Sequence, residues 1–206
     1  MVDLPPLTPG IEIVAASEGM SKGLRQTDGV QLLVRGELAA GPLFGGGSWK
    51  NVDSATASGE AAVFVGLRGE AGGFELSALA AYKWNTDSGR QADRDTLEFV
   101  VSASRRVGPV TPRLQLIWSP DDLGGTRASL FAEAGAAVSL RPGTTLSAYA
   151  GRRERSGGTD YTAFNLGISQ TIGRHVTAEL RYYDTAQSAL GEIYDGRAIF
   201  LVRLRF

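Results

Sequence analysis

The regular pattern of this chain is an alternation of apolar and polar side chains, clearest at the C-terminus. After Gly196, residues Ala198, Phe200, Val202, Leu204 and Phe206 fall on one face of an extended segment, and Arg197, Arg203 and Arg205 on the other. Successive side chains of a strand point to opposite faces, so this is a strand with one apolar and one charged side. The pattern recurs upstream. Phe74, Leu76, Ala78, Ala80, Tyr82 and Trp84 oppose Glu75, Ser77, Lys83 and Asn85; Leu97, Phe99, Val101 and Ala103 oppose Glu98, Ser102, Ser104 and Arg106. Leu114, Leu116 and Trp118 oppose Arg113 and Gln115, and Val176, Ala178, Leu180 and Tyr182 oppose Thr177, Glu179 and Arg181.

Short Gly/Pro breaks divide the alternation at Gly41-Pro42, Gly72-Gly73, Gly108-Pro109, Pro142-Gly143 and Gly173-Arg174. Between them lie longer polar stretches: Ser21–Asp28, Asn51–Ser58, Asn85–Asp95, Ser119–Thr126, Glu154–Asp160 and Thr185–Asp195. Tight turns therefore alternate with long loops. The pattern predicts twelve strands, at 10–20, 29–40, 43–51, 59–71, 73–85, 95–107, 110–119, 126–140, 144–154, 160–172, 174–185 and 194–206. Strands of soluble sheets average about 5–6 residues, whereas a tilted strand that crosses a bilayer needs about 9–11. An even strand number, short turns at one end and long loops at the other are the pattern of an outer-membrane barrel. The predicted fold is all-β: a transmembrane antiparallel β-barrel of about twelve strands over residues 10–206. Residues 1–9 form an N-terminal extension, and both termini lie on the short-turn, periplasmic side. A soluble sandwich also alternates, but with shorter strands and its polar face outward. Phe74 and Phe206 near the turns, and Tyr82, Trp84 and Trp118 near the loops, suit two interfacial girdles. Phe64 and Phe131 fall on the inward face.

Composition narrows the picture by exclusion. No apolar run approaches the ~18 residues of a spanning helix. The chain has no Cys, which removes disulfide scaffolds and thiolate metal sites. Its net charge of −1 gives no basic field for nucleic acid. Met1 leads directly to Asp3-Leu4-Pro5-Pro6 with no secretory leader in view, so for an exported protein the expectation is a leader that was removed or replaced by a start codon.

Two stretches resemble a known family. Met20-Ser21-Lys22-Gly23-Leu24-Arg25-Gln26-Thr27-Asp28 resembles the start of the TorF family of small porins, where an aromatic-basic-Gly segment precedes a Ser-Gln-Thr-like turn. Leu43-Phe44-Gly45-Gly46-Gly47-Ser48-Trp49-Lys50-Asn51-Val52-Asp53 is similar to that family's Tyr-x-Gly-x-Trp followed by Asn-Val. Ser21 stands where the family has an aromatic, and the second stretch carries an extra Gly and lacks a Ser. The resemblance implies a small porin of the Gram-negative outer membrane, without a defined substrate.

The candidate pore-lining residues are the charges of the inward face: Arg35, Glu37, Glu60, Arg68, Lys83, Glu98, Arg106, Arg113, Glu133, Arg181 and Arg203. Glu12, Glu70, Glu75, Glu179, Arg153 and Arg205 share that face. Charges in a narrow lumen must pair or stay hydrated, so they either form an ion-paired filling or line a water-filled constriction. Twelve strands lie between filled eight-stranded barrels and open sixteen-stranded porins, so strand number does not decide.

Other features carry less. His175, the single histidine, sits beside the Gly173-Arg174 turn, away from the loop serines that a rim hydrolase would require. Asp87, Asp93, Asp95, Asp121 and Asp122 in the loops suit a hard divalent cation or a lipopolysaccharide bridge, with solvated loop charge as the simpler reading. Gly45-Gly46-Gly47 lacks the Lys-Ser/Thr of a phosphate loop and instead permits close packing or a bulge. The function expected is passive diffusion of small polar solutes or ions, without cofactor, metal or covalent catalysis. The alternative is a closed barrel that acts through its loops on a protein or glycan. The expected partners are outer-membrane lipid, lipopolysaccharide, and a barrel-assembly machinery that reads the strand ending at Phe206.

Overall fold

The alternating segments become the strands expected of them in a computed structural model, which describes residues 5–54, 57–87 and 94–206. The long strands are β1 (Leu7–Ala16), β4 (Gln31–Ala40), β5 (Leu43–Ser54), β6 (Ala57–Ala71), β7 (Phe74–Thr86) and β8 (Asp95–Ser104). They continue with β9 (Val110–Asp122), β10 (Arg127–Arg141), β11 (Thr144–Arg155), β12 (Tyr161–Ile172), β13 (Val176–Asp184) and β14 (Arg197–Arg205). The first long loop holds a small hairpin of β2 (Met20–Ser21) and β3 (Leu24–Arg25). The last holds two 3-10 turns, Ser188–Leu190 and Glu192–Tyr194.

The twelve long strands form one closed antiparallel barrel in chain order. β1 closes it by pairing on one side with β4, from Leu7↔Ala40 to Ala16↔Gln31, and on the other with β14, from Glu12↔Arg205 to Ala16↔Leu201. Closure gives the backbone N–H and C=O groups of each strand partners on both sides, which is what allows a sheet to stand in hydrocarbon.

Side-chain exposure settles which face is which. Val34, Val65, Leu67, Val101, Leu114, Leu166, Leu180 and Phe200 are exposed on the outer wall, while Arg35, Glu60, Glu98, Arg153 and Glu179 are shielded inside. A continuous exposed aliphatic belt of this extent has lipid as its solvent. Trp49, Tyr82 and Trp118 are exposed toward the loop end, with Tyr82 against Trp84 and Phe99 stacked on Trp118. Phe74 and Phe206 stand at the turn end. Leu116 lies at the middle of β9 on the lipid face. Leu116→Arg is expected to destabilise the folded barrel by about 2–4 kcal/mol, the cost of a cation at the bilayer midplane. Urea unfolding in lipid vesicles measures it.

Several boundaries differ from the sequence reading. β1 starts at Leu7 and ends at Ala16. Asn51–Ser58, expected as a loop, is strand in its described residues, and so is the first half of Ser119–Thr126, since β5 runs to Ser54, β6 begins at Ala57 and β9 runs to Asp122. Cross-strand backbone bonding continues past the lipid wherever a partner strand does, whatever the side-chain polarity. β8, by contrast, stops at Ser104. Arg106 therefore leaves the strand for the turn, where it is exposed and its Nε donates to the Gly108 carbonyl at 3.4 Å. Gly108 (φ +59°) and the isolated Val107↔Val110 bridge tighten that turn. Of the N-terminal extension, residues 1–4 lie outside the described residues, as does Asp93 of the Asn85–Asp95 loop.

Inward glycines make room for inward rings. A Cβ at Gly46 would stand 2.9 Å from Phe64 Cζ, at Gly66 2.6 Å from Phe44 Cζ, and at Gly151 2.6 Å from Phe131 Cζ. Each ring lies flat against a neighbouring strand that has no side chain there, which keeps it out of the lumen. Gly46 is the middle of the Gly45–Gly47 run, so that run serves close packing.

Candidate functional site

The lumen is divided by the first long loop, which folds into it. Lys22, at the tip of the β2–β3 hairpin, is 2.7 Å from Glu98 Oε2 on β8 and 2.9 Å from Asp122 Oδ2 on β9. Tyr161 on β12 donates its hydroxyl to the Lys22 carbonyl at 2.8 Å. Leu24 packs with Phe131, Tyr161, Ala163 and Tyr194 in an apolar cluster. Lys50 on β5 donates to Gln26 Oε1 at 2.6 Å, and Glu18 pairs with Arg197 of β14 at 2.7 Å. The loop thus contacts strands on every side of the barrel and crosses the lumen.

The hairpin completes a belt of alternating charge carried by strands in sequence. Glu60 on β6 takes Lys50 of β5 at 3.3 Å and Lys83 of β7 at 3.2 Å, and Lys83 lies 3.6 Å from Glu98 on β8. Lys22 then bridges Glu98 to Asp122 on β9. Asp122 Oδ2 also accepts Arg153 Nη2 of β11 at 2.6 Å and Ser129 Oγ of β10 at 2.8 Å. Arg153 Nη1 reaches Tyr161 of β12 at 3.3 Å. Buried charges are tolerable when each faces an opposite charge, and here every carboxylate is shared by two cations.

Toward the turn end the lumen holds two chambers. One, of about 400 Å³, is lined by Gly10, Ile11, Glu12, Arg35, Glu37, Arg68, Arg205 and Phe206. In it Glu37 joins Arg35 (3.0 Å) to Arg68 (2.7 Å), and the two guanidiniums cover the rings of Phe64 and Phe44. The other, of about 380 Å³, lies beneath the hairpin between Met20–Gly23 and the walls of β9 to β14. Arg113 pairs with Glu133 at 2.5 Å, and Arg181 with Glu179 at 2.5 Å. Arg181 also donates to Asn165 and to Ser147. Tyr149 lies between these arginines, its ring centroid 4.4 Å from Arg113 Cζ and 5.8 Å from Arg181 Cζ.

The residues singled out from sequence therefore fall in three places. Glu60, Lys83 and Glu98 are in the belt. Arg35, Glu37 and Arg68 are in the first chamber, and Arg113, Glu133, Arg181 and Arg203 line the second. Arg106 is the one placed at the turn instead. Lys22 and Asp122 were missed. Both fell in stretches expected as solvated loop, yet Asp122 is 4% exposed. The local alternation hides Asp122: it is in phase with the lipid-facing Leu114, Leu116 and Trp118, and it turns inward only because the register shifts between Ser119 and Asp122. Lys50 was missed because the strand was expected to end beside it. Asp121 and Asp87 do stay exposed, and among the described residues no three acidic or histidine side chains gather into a metal-sized cluster. His175 turns to the chain's own end, its Nδ1 2.6 Å from the Arg205 carbonyl oxygen and its ring stacked on Phe206.

Comparison with known proteins agrees on architecture. The model of a family described as "bacterial protein of unknown function (Gcw_chp)" matches residues 22–201. The chain is similar in structure to a KdgM porin, with TM-score 0.67 and 8% identity over 96% of this chain and 99% of that one. It is similar to the NanC porin with TM-score 0.60 and 6% identity, over 95% and 97% of the two chains. The COG4313 outer membrane channel from Pseudomonas putida F1 aligns with TM-score 0.51 and 11% identity, over 100% and 96%. No curated protein matches the chain in sequence.

Proposed function

This chain belongs to the Gcw_chp family of bacterial proteins, and on that premise we propose that it is an outer-membrane channel giving passive passage to small polar solutes or ions. The observation that carries the reading is an apolar outer wall around a charged lumen that holds two polar chambers and one infolded loop. Arg35, Glu37, Arg68, Arg113, Glu133, Arg181 and Arg203 line the solute path, and the belt of Lys22, Glu60, Lys83 and Glu98 forms its constriction. Opposed fixed charges at a narrowing select among ions by field and by the cost of shedding water. No step requires covalent chemistry.

The two stretches behind the TorF resemblance support placing the chain with those porins, because they meet. Lys50 bonds Gln26, the Asp53 N–H donates to the Gln26 carbonyl at 2.8 Å, and the Asp28 N–H donates to Asp53 Oδ2 at 2.8 Å. They are one unit, the infolded loop and the strand that holds it. In the membrane the aliphatic belt meets lipid and the loop rim meets lipopolysaccharide.

One observation favours the alternative of a closed barrel acting through its loops: the belt is ion-paired from β5 to β11 with the hairpin inside it. Planar-bilayer recording separates the two. The purified protein, shown to be folded by a heat-dependent shift on a denaturing gel, is expected to give small, discrete conductance steps. Silence from inserted protein overturns the channel and leaves the closed barrel.

A further inference from the structure

We propose that the chamber beneath the hairpin is a binding site for a small hydroxylated organic carboxylate, entered from the turn end. This rests on the reading of the lumen as a solute path.

The chamber has more positive charge than its own carboxylates use. Both of its acids are engaged: Glu133 holds Arg113 through Oε1 and Asn165 through Oε2, and Glu179 holds Arg181. Arg181 is committed through each of its three nitrogens, to Glu179, Asn165 and Ser147. Arg113 and Arg203 are not. Among the described residues Arg113 has one hydrogen bond, to Glu133, while its side chain is 36% exposed. Arg203 has none. Its nearest carboxylate oxygen, Glu12 Oε2, is 3.5 Å away and is already held by Arg205 at 2.6 Å. Two guanidiniums with unused N–H groups therefore face one cavity whose acids are already spent. A planar guanidinium fork matches a carboxylate, with two parallel charge-assisted bonds.

The arginines are held in place rather than merely present. Two inward glycines set the wall: a Cβ at Gly135 would stand 2.5 Å from Tyr149 Cδ1, and one at Gly167 2.8 Å from Arg181 Cζ. Tyr149 and Arg181 therefore lie against the strands, which preserves the cavity, and Arg113 rests on the Tyr149 ring. Gln115 and Tyr183 supply neutral donors and acceptors around the same space, which suits ligand hydroxyls. A volume of about 380 Å³ is at the small end of ligand pockets. Above it the hairpin and the Leu24 cluster bar the loop side. Below it Arg203 shares Glu12 with the turn-end chamber, so the pair stands where the two spaces meet.

The test is calorimetric titration of the folded, detergent-purified chain with three compounds that differ only at one carbon: D-gluconate, D-sorbitol and 1-amino-1-deoxy-D-sorbitol. Gluconate is expected to bind saturably, at least about tenfold more tightly than sorbitol, the equivalent of one good charge-assisted contact, and the amine not at all. Arg203→Gln, checked for folding by its heat-dependent gel shift, is expected to abolish the gluconate preference, and Arg174→Gln in the exposed turn between β12 and β13 to leave it unchanged. Equal affinity for gluconate and sorbitol, or no saturation by any of the three, overturns the site even if the wild type shows conductance steps. Gluconate binding by a protein silent in the bilayer upholds the site and overturns the channel.

Discussion

Replacing Met20–Arg25 with two glycines is expected to raise single-channel conductance by about an order of magnitude, because it takes the hairpin out of the constriction. The excision is local. The Gln26 N–H donates to the Gly19 carbonyl at 2.7 Å, so the ends already face each other as a strand pair and a two-residue turn joins them. Gln26 keeps its bonds to Lys50 and Asp53, which anchor the remaining loop. What leaves is Lys22 from between Glu98 and Asp122, and Leu24 from the apolar cluster. Two carboxylates then face water in the lumen without their shared cation, so cation preference is expected to rise together with conductance. Reversal potentials in a salt gradient measure that shift. An unchanged step size would mean that the hairpin does not set the limiting cross-section.

The second large effect is on stability. Asp122→Ala is expected to cost about 3–5 kcal/mol, the range for removing one partner of a buried charge cluster. Asp122 Oδ2 receives Lys22, Arg153 and Ser129, at 2.9, 2.6 and 2.8 Å. Without it Arg153 keeps Tyr161 as its remaining partner and Lys22 keeps Glu98. Two shielded cations thus lose their common counter-charge. Glu192→Gln is the matched control. Its pair with Arg25 is 3.7 Å long and its side chain 85% exposed, so the loss should be within experimental scatter. Unfolding by urea in lipid vesicles compares the two. Equal effects would mean that the belt contributes no more than a surface pair.

How much of this was legible in the sequence depends on how local each cause is. Each strand carries its own record of a wall with lipid on one side and water on the other. Leu114, Leu116 and Trp118 against Arg113 and Gln115 show it without reference to any other strand, and the structure orients them so. Phe64 and Phe131 were legible as inward for the same reason, although their seats on Gly46 and Gly151 were not. The site was legible as a face and not as an arrangement. Arg113, Glu133, Arg181 and Arg203 were read as inward and do line one chamber, but nothing near them in the chain says which carboxylates are spent and which guanidiniums are spare. Arg106 is the exception: the alternation continues past Ser104 in the sequence, but the strand does not, and the turn takes the residue.

The chain by itself determined the barrel, its strand number, its span and the face each strand turns to lipid. These follow from a period of two imposed by two solvents on a single strand, and a window of ten residues contains the whole signal. Only the tertiary structure decided what fills the lumen. Ser21–Asp28 is polar enough for open water and equally suited to a charged lumen, so its composition cannot separate an outer loop from an infolded one. Lys22 meets Asp122 across 100 residues of sequence. That meeting exists because closure places β8 and β9 opposite the first loop, where the attraction between unlike charges in a space with little water is stronger than at a solvated rim.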